Sequence, residues 1–447
     1  MNSKAELSRQ QAFRGSVLHF LEDPGEHDRS GAFEYHEDGL LIVVDGHVAN
    51  VGSALELLPK LSTTTTLTDC SGKLILPGFI DAHVHFVQTD IIGAYGRRLL
   101  EWLEECTYPA ERAFADEAHA REVAEFFVAE LLRNGTTTAL VIGSVHRTSV
   151  DAIFTAGLAR GMRLIAGKAM MDRNCPDYLK DTAASSYADS LALIERWHGR
   201  ERMQYAVTPR FAPSSTPEQL AGAGRLAREH PDVYVHTHVA ENEEEVAWAR
   251  RLFPERRSYL DVYDHYGLLR KRAAFAHGIW LDDADLARLK ATGAALVHCP
   301  TCNLFMGSGL LDLKRATAAG VQVAFGTDIG GGTSFSLLRV LHDAYKVAQL
   351  RGHSLSPLRA FYLATLGAAR ALDLDGRIGS FRTGREADFV VLDMAATPLL
   401  ARRTSTARRL AERLFLLMTL GDDRAVSKTY VMGRLSHDRD GLDSRPQ

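Results

Sequence analysis

The stretch Pro77–Phe86, PGFIDAHVHF, decides how the chain is read. After its proline and glycine the residues are apolar almost without break, the pattern of a strand buried on both faces of a parallel sheet. Alternate residues of a strand share a face, so His83 and His85 point the same way and both can reach one metal ion. No glycine-rich turn follows, although an open doubly wound sheet would normally carry one after its first strand. A long excursion stands there instead, from Phe86 to about Ala118, containing LLEWLEECTYPAE. Loops of that length in a compact domain are usually functional.

Seven further runs of the same kind follow: TTTALVIG, RLIAGKAMM, MQYAVTPRF, DVYVHTHVAE, AAFAHGIW, AALVHCPTC and QVAFGTD. Each leads into a helical pattern. After Ala118, Val123, Phe126, Phe127 and Leu131 are assigned to one helical face, with Gly135 where a glycine would end the helix. The last helix of the series runs from about Phe335 to Gln349. Eight strand–helix units over about 270 residues predict an α/β chain with a TIM-type (β/α)8 barrel, for which ~250 residues are typical. Its expected bounds are residues 77–374.

Both ends of the chain read differently. Residues 1–76 alternate short apolar runs with glycine punctuation in SVLHF, GLLIVVDG and HVANVG, and residues 375–447 return to that style in GSFRTGREADFVVLD and KTYVMGRLSH. The two ends are expected to build one small β-sandwich, the second adding an amphipathic helix around Thr404 to Leu420.

The 447 residues are 46% hydrophobic and 24% charged, ordinary globular usage. A formal charge of −4 with no basic block disfavours a polymeric nucleic-acid partner. No run approaches the ~18 apolar residues of a membrane span. The beginning MNSKAELSRQQAFRG lacks the apolar stretch of a secretory signal, so a cytoplasmic location is expected. Five thinly spread cysteines fit reduced thiols. Cys299 and Cys302 form a lone CxxC, but one zinc deaminase class pairs P-C-x-x-C with H-x-E, and H-x-E does not occur here. Both are read as buried packing residues.

Barrel enzymes build their sites at the C-terminal ends of the strands. Six of the eight ends carry chemistry: His83 and His85; Arg210 and Phe211; His238 and Glu241; His277; His298; Asp328. Among 18 histidines a chance HxH is unremarkable, but the shared location is not. His236 and His238 face the same way and compete as ligands. The spacing from His238 to Glu241 favours His238, leaving His236 deeper, as a partner behind the ligands. Three imidazoles and a carboxylate suit zinc, with a position left for a water that ionises near neutrality.

With these motifs in order along almost the whole chain, the sequence resembles the amidohydrolase superfamily, through PGFIDAHVHF, the His238 strand, AHG at Ala276 to Gly278 and GTD at Gly326 to Asp328. Within it, LLEWLEECTYPAE, MDRNCPDYL, TPRFAPS, HCPTCNLFMGSGLLDL and DIGGGTSFSLL are similar to the guanine deaminase family. The resemblance implies one Zn(2+) per chain on His83, His85, His238 and Asp328, a proton shuttle at Glu241, and His277 beside the attacking water, with Asp328 assisting. It implies that guanine is the substrate, that Gln88, Arg210 and Phe211 contact the purine ring, and that the protein is a homodimer. Guanine presents O6 and N7 as adjacent acceptors, which an arginine fork matches. Cys302 departs from the more usual serine of HCPTSN. Some superfamily members hold two metals bridged by a lysine on strand four; MQYAVTPRF has none, and Lys168 is counted on strand three, so one metal is expected. The rival readings are hydrolysis at another aminated or halogenated heteroaromatic ring, and a scaffold that has lost its metal, which should lack the ligands kept here.

Overall fold

The structure, a computed structural model, describes residues 10–95 and 98–441, so the first nine residues of the opening stretch lie outside it. Four strands lead in: β1 (Gln10–Phe20), β2 (Phe33–Val44), β3 (His47–Ser53) and β4 (Thr66–Pro77). The apolar runs then become β5 (Phe79–His85), β6 (Thr136–Ile142), β7 (Arg163–Gly167), β8 (Ala169–Met170), β9 (Met203–Pro209), β10 (Tyr234–Val239), β11 (Ala273–His277), β12 (Ala295–His298) and β13 (Gln322–Phe325). They lie in sequence order and pair in parallel. Every residue of β5, β6, β7 and β11 is buried, as strands covered on both faces must be. Eight staves result, because β8 continues β7 past Lys168 and both pair with β9.

The barrel closes where its last stave meets its first. Beyond β13, Asp328 N donates to His83 O at 2.9 Å, and His85 N donates to Ile329 O at 3.0 Å. Gly326 permits this approach, since a Cβ there would stand 2.8 Å from His83 Cβ. Asp81 reinforces the seam by accepting from Thr327 N at 3.0 Å and from the Thr327 hydroxyl.

Helices cover the outside, among them Glu117–Arg133, Arg147–Ala159, Ala183–Trp197, Pro217–Glu229, Glu243–Leu252, Asp283–Thr292 and Leu337–Leu350. In the first, Val123, Phe127 and Leu131 are buried with Ala120, Ala124 and Val128, but Phe126 is 55% exposed. Its assignment to the buried face is corrected: at 3.6 residues per turn it sits roughly 130° round from the centre of that stripe. Gly135 follows the helix with φ +80°, the left-handed conformation glycine adopts freely.

After the barrel come β14 (Phe389–Asp393), β15 (Val426–Val431) and β16 (Arg434–Asp438). Both chain ends join in one small unit, in the order β16-β15-β14-β4-β1-β2-β3. All seven strands belong to a single sheet, which rolls so that β3 meets the segment before β14: Val48 N donates to Arg385 O at 2.7 Å, and Gly384 N to Val48 O at 2.8 Å. The roll encloses Phe13, Val43, Phe389 and Tyr430 as the two faces of a sandwich would. The helix expected around Thr404 to Leu420 is two, Pro398–Thr404 and Leu410–Leu420.

Candidate active site

Each side chain singled out at a strand end is brought by its stave to the same mouth of the barrel. His83 and His85 end β5; His238 lies in β10 and Glu241 just after it; His277 ends β11; Asp328 follows β13. Ala240, His277 and Asp328 all have positive φ, at 48°, 72° and 54°. Left-handed backbone costs a residue with a side chain about 1–3 kcal/mol and persists only where the surroundings enforce it. Its recurrence at three stave ends marks where the fold bends its backbone to aim side chains.

One ligand atom from each of His83, His85, His238 and Asp328 falls within 4.8 Å of all the others. Asp328 Oδ1 lies 3.1 Å from His83 Nε2 and 3.4 Å from His85 Nε2, and the Nε2 atoms of His85 and His238 approach to 3.1 Å. Tautomers can be assigned from the partners. His238 Nδ1 donates to Arg210 O at 2.6 Å, so its Nε2 carries a lone pair. His83 Nδ1 meets His236 Nε2 at 2.7 Å, which places His236 behind the ligand candidates and turns His83 Nε2 towards Asp328. Burial drives the pKa of His83 down and those of His85 and His238 well down, leaving neutral imidazoles. Burial opposes ionisation of Asp328, but the facing His83 at 3.1 Å and the His277 ring at 3.6 Å outweigh it and hold that carboxyl well below its usual range. Unprotonated nitrogens converging with a carboxylate are the donor set of a borderline-soft divalent cation. His277, Cys299 and Asp328 form a second possible triple, but burial pushes the Cys299 thiol well up, away from the thiolate a metal requires. Burial does the same to Cys302, whose side chain lines the cleft.

Glu241 is buried beside this group, its Oε2 3.3 Å from His277 Nε2 and its Oε1 accepting from Ser308 Oγ at 2.9 Å. Its own backbone N–H donates to Glu245 Oε2 at 2.9 Å, so the next helix clamps the residue in place. Burial raises the Glu241 carboxyl to about 7. A carboxyl so tuned exchanges protons near neutrality. At His277 burial works against the charge, yet the facing Glu241 carboxylate prevails and the pKa rises, while Asn303 Oδ1 fixes the ring from Nδ1 at 2.8 Å.

Across the cleft stand Gln88, Arg210 and Phe211, all buried. Arg210 NH1 bonds both oxygens of Glu111, at 2.8 and 2.6 Å. Gln88 Nε2 donates to Glu111 Oε1 at 3.0 Å, and its Oε1 accepts from Gly330 N at 3.1 Å. Phe211 meets Trp248 edge-on at 5.9 Å between centroids. The excursion after β5, folded into short helical turns, adds Leu99, Trp102 and Leu103 to the lining. Glu111, Ser308 and Asn303 were not singled out in the sequence, although each sits inside a motif quoted for its resemblance. His298 ends β12, buried, with neither ring nitrogen hydrogen-bonded.

The fold and the site together define a metal-dependent class of hydrolase, and family comparison agrees: residues 74–436 match the amidohydrolase family, to which the chain belongs. Relatives of high identity include guanine deaminases. The guanine deaminase of Escherichia coli (strain K12) is 51% identical over 432 residues, covering 96% of this chain and 98% of the relative. The solved structure of the E. coli guanine deaminase superposes with a TM-score of 0.92 at 49% identity, over 96% of this chain and 99% of that one. A guanine deaminase from C. acetobutylicum, solved with guanine in its active site, gives 0.86 at 28% identity, over 96% and 100%.

Proposed function

We infer that the protein is a guanine deaminase, a hydrolase that acts on the C–N bond at C2 of guanine and releases xanthine and ammonia in guanine catabolism. The observation that carries this is one cleft holding a cluster of three histidines and an aspartate, a buried carboxyl tuned to about 7, and a buried arginine facing them. High identity to guanine deaminases over nearly the full chain supports it.

In this reading His83, His85, His238 and Asp328 hold one zinc ion per chain. The ion supplies Lewis acidity, which lets water ionise near neutrality. Glu241 takes the proton of the attacking water on Oε2 and hands it to N3 of guanine, the ring nitrogen next to C2 that carries no hydrogen. Protonation there keeps charge off the ring as C2 becomes tetrahedral, and a second transfer from the same carboxyl lets the amine leave as ammonia. His277, held by Asn303, orients the attacking oxygen, and Asp328 assists proton removal. Arg210 donates to the O6 and N7 edge, Gln88 donates to the ring, and Phe211 offers an apolar face. Leu99, Trp102 and Leu103 keep bulk water from the cleft.

Five free, scattered cysteines support a cytoplasmic location. Among the described residues no helix is long and apolar enough to cross a membrane. The family resemblance supports a homodimer, which light scattering on the purified protein checks. Substrate choice is tested by assaying guanine, adenine, cytosine and a chlorotriazine side by side. Guanine should be turned over far faster than the others; preference for any other ring would overturn the reading.

A further inference from the structure

Glu111 lies in the turn Tyr108–Arg112 of the long excursion, fully buried and on no barrel strand. Its carboxylate takes Arg210 NH1 on both oxygens and Gln88 Nε2 on one. A single buried group thus holds both polar side chains that the preceding section assigns to the purine ring, and the inference rests on that assignment. We propose that Glu111 is a positioning residue with an electrostatic task. It fixes Arg210 and Gln88 for guanine and cancels the Arg210 charge, so that the cleft favours the neutral substrate over the more acidic product.

The chemistry of the two bases gives this arrangement its consequence. Guanine is neutral in its ordinary tautomer. Xanthine carries a carbonyl where guanine carries the C2 amino group, so a ring N–H beside that carbonyl is more acidic and is lost more readily. An uncompensated guanidinium in a low-dielectric cleft would bind that anion strongly and slow its release.

Among the described residues no other carboxylate is hydrogen-bonded to the Arg210 guanidinium. The Tyr108 ring lies 5.5 Å from the guanidinium carbon, with its hydroxyl pushed up to about 12 by burial. Burial pushes Cys175 up to about 11 and His146 down, so both are neutral as well. Lys168 is paired with Asp181 at 2.6 Å, and Asp328 faces His83 and His85.

The test uses the full-length, metal-loaded enzyme with Glu111→Gln and Glu111→Asp, measuring kcat and KM for guanine and inhibition by xanthine from neutral to mildly alkaline pH. Glu111→Gln keeps the size and drops the charge. Xanthine should then inhibit about tenfold more tightly than in the parent, increasingly so as pH rises and the product ionises. Glu111→Asp keeps the charge and shortens the reach, so KM for guanine should rise several-fold, with kcat and the pH profile of inhibition held. Xanthine inhibition of Glu111→Gln that tracks the parent at every pH overturns the proposal. Should that variant not fold, an unchanged KM in Glu111→Asp overturns it equally. Arg210→Met is run beside them. Parent-like KM there defeats the assignment of Arg210 itself, whereas an impaired Arg210→Met beside parent-like Glu111 variants defeats this inference alone.

Discussion

Glu241 and His277 face each other at 3.3 Å between Oε2 and Nε2, each held from behind, the first by Ser308 and the second by Asn303. Two titratable groups this close share protons as a pair. Glu241→Gln keeps the size and most hydrogen bonds but cannot carry a proton. Its kcat for guanine should drop by roughly 10²- to 10⁴-fold while metal content and guanine binding persist. Turnover within about threefold of the parent, with metal verified, would move the shuttle to Asp328 or His277.

Metal and activity should vanish together when one ligand is removed. His83→Ala is the clean case, because His83 is buried and lies 3.1 Å from Asp328. Elemental analysis of the parent should find about one zinc per chain. Lys168 is engaged by Asp181 and so unavailable as a metal bridge, which leaves no lysine for a second ion at that stave. Two tightly held metals per chain, or full activity in a metal-free preparation, would contradict the assignment.

Recognition should be separable from metal binding. Arg210→Ala removes the guanidinium but no ligand, so zinc should stay while guanine turnover falls and selectivity relaxes. A bidentate arginine contact to guanine is worth ~1 to 3 kcal/mol of discrimination, which sets the scale of the loss. Processing of guanine as in the parent would remove Arg210 from the recognition set.

His298 makes a prediction about stability. Burial lowers its pKa to about 3, against ~6.5 for an unfolded histidine. Above the unfolded value the ring is neutral in both states and costs nothing; as pH falls, the unfolded chain binds the proton first. Stability is therefore lost from about pH 6.5 down towards pH 3, amounting to about 2 kcal/mol by ~pH 5. His298→Phe should lose that much less than the parent between about pH 7 and pH 5 in urea unfolding. Equal losses would show that His298 does not titrate this way.

Much of this was legible in the sequence because strand periodicity is short-range. HVH in β5, HVAE across the end of β10, AHG across the end of β11 and GTD after β13 each announce both a stave and the side chains at its end. What was not legible depends on long-range approach. Glu111 meets Arg210 across 99 residues, and Ser308 meets Glu241 across 67, so neither partner can be read from local pattern. Phe126 was misplaced for a different reason, since an apolar residue on a helix flank looks like a core residue until its angle is counted. The rolled single sheet likewise depends on β3 meeting residues 384 and 385, far away in the chain.

The most direct measurement incubates metal-analysed protein with guanine and follows ammonia and xanthine together in one reaction. The account predicts that both appear in equal amounts, at a rate proportional to bound metal, and that the reaction stops when the metal is stripped. Guanine left intact by fully metal-loaded protein, or ammonia released without xanthine, would contradict it.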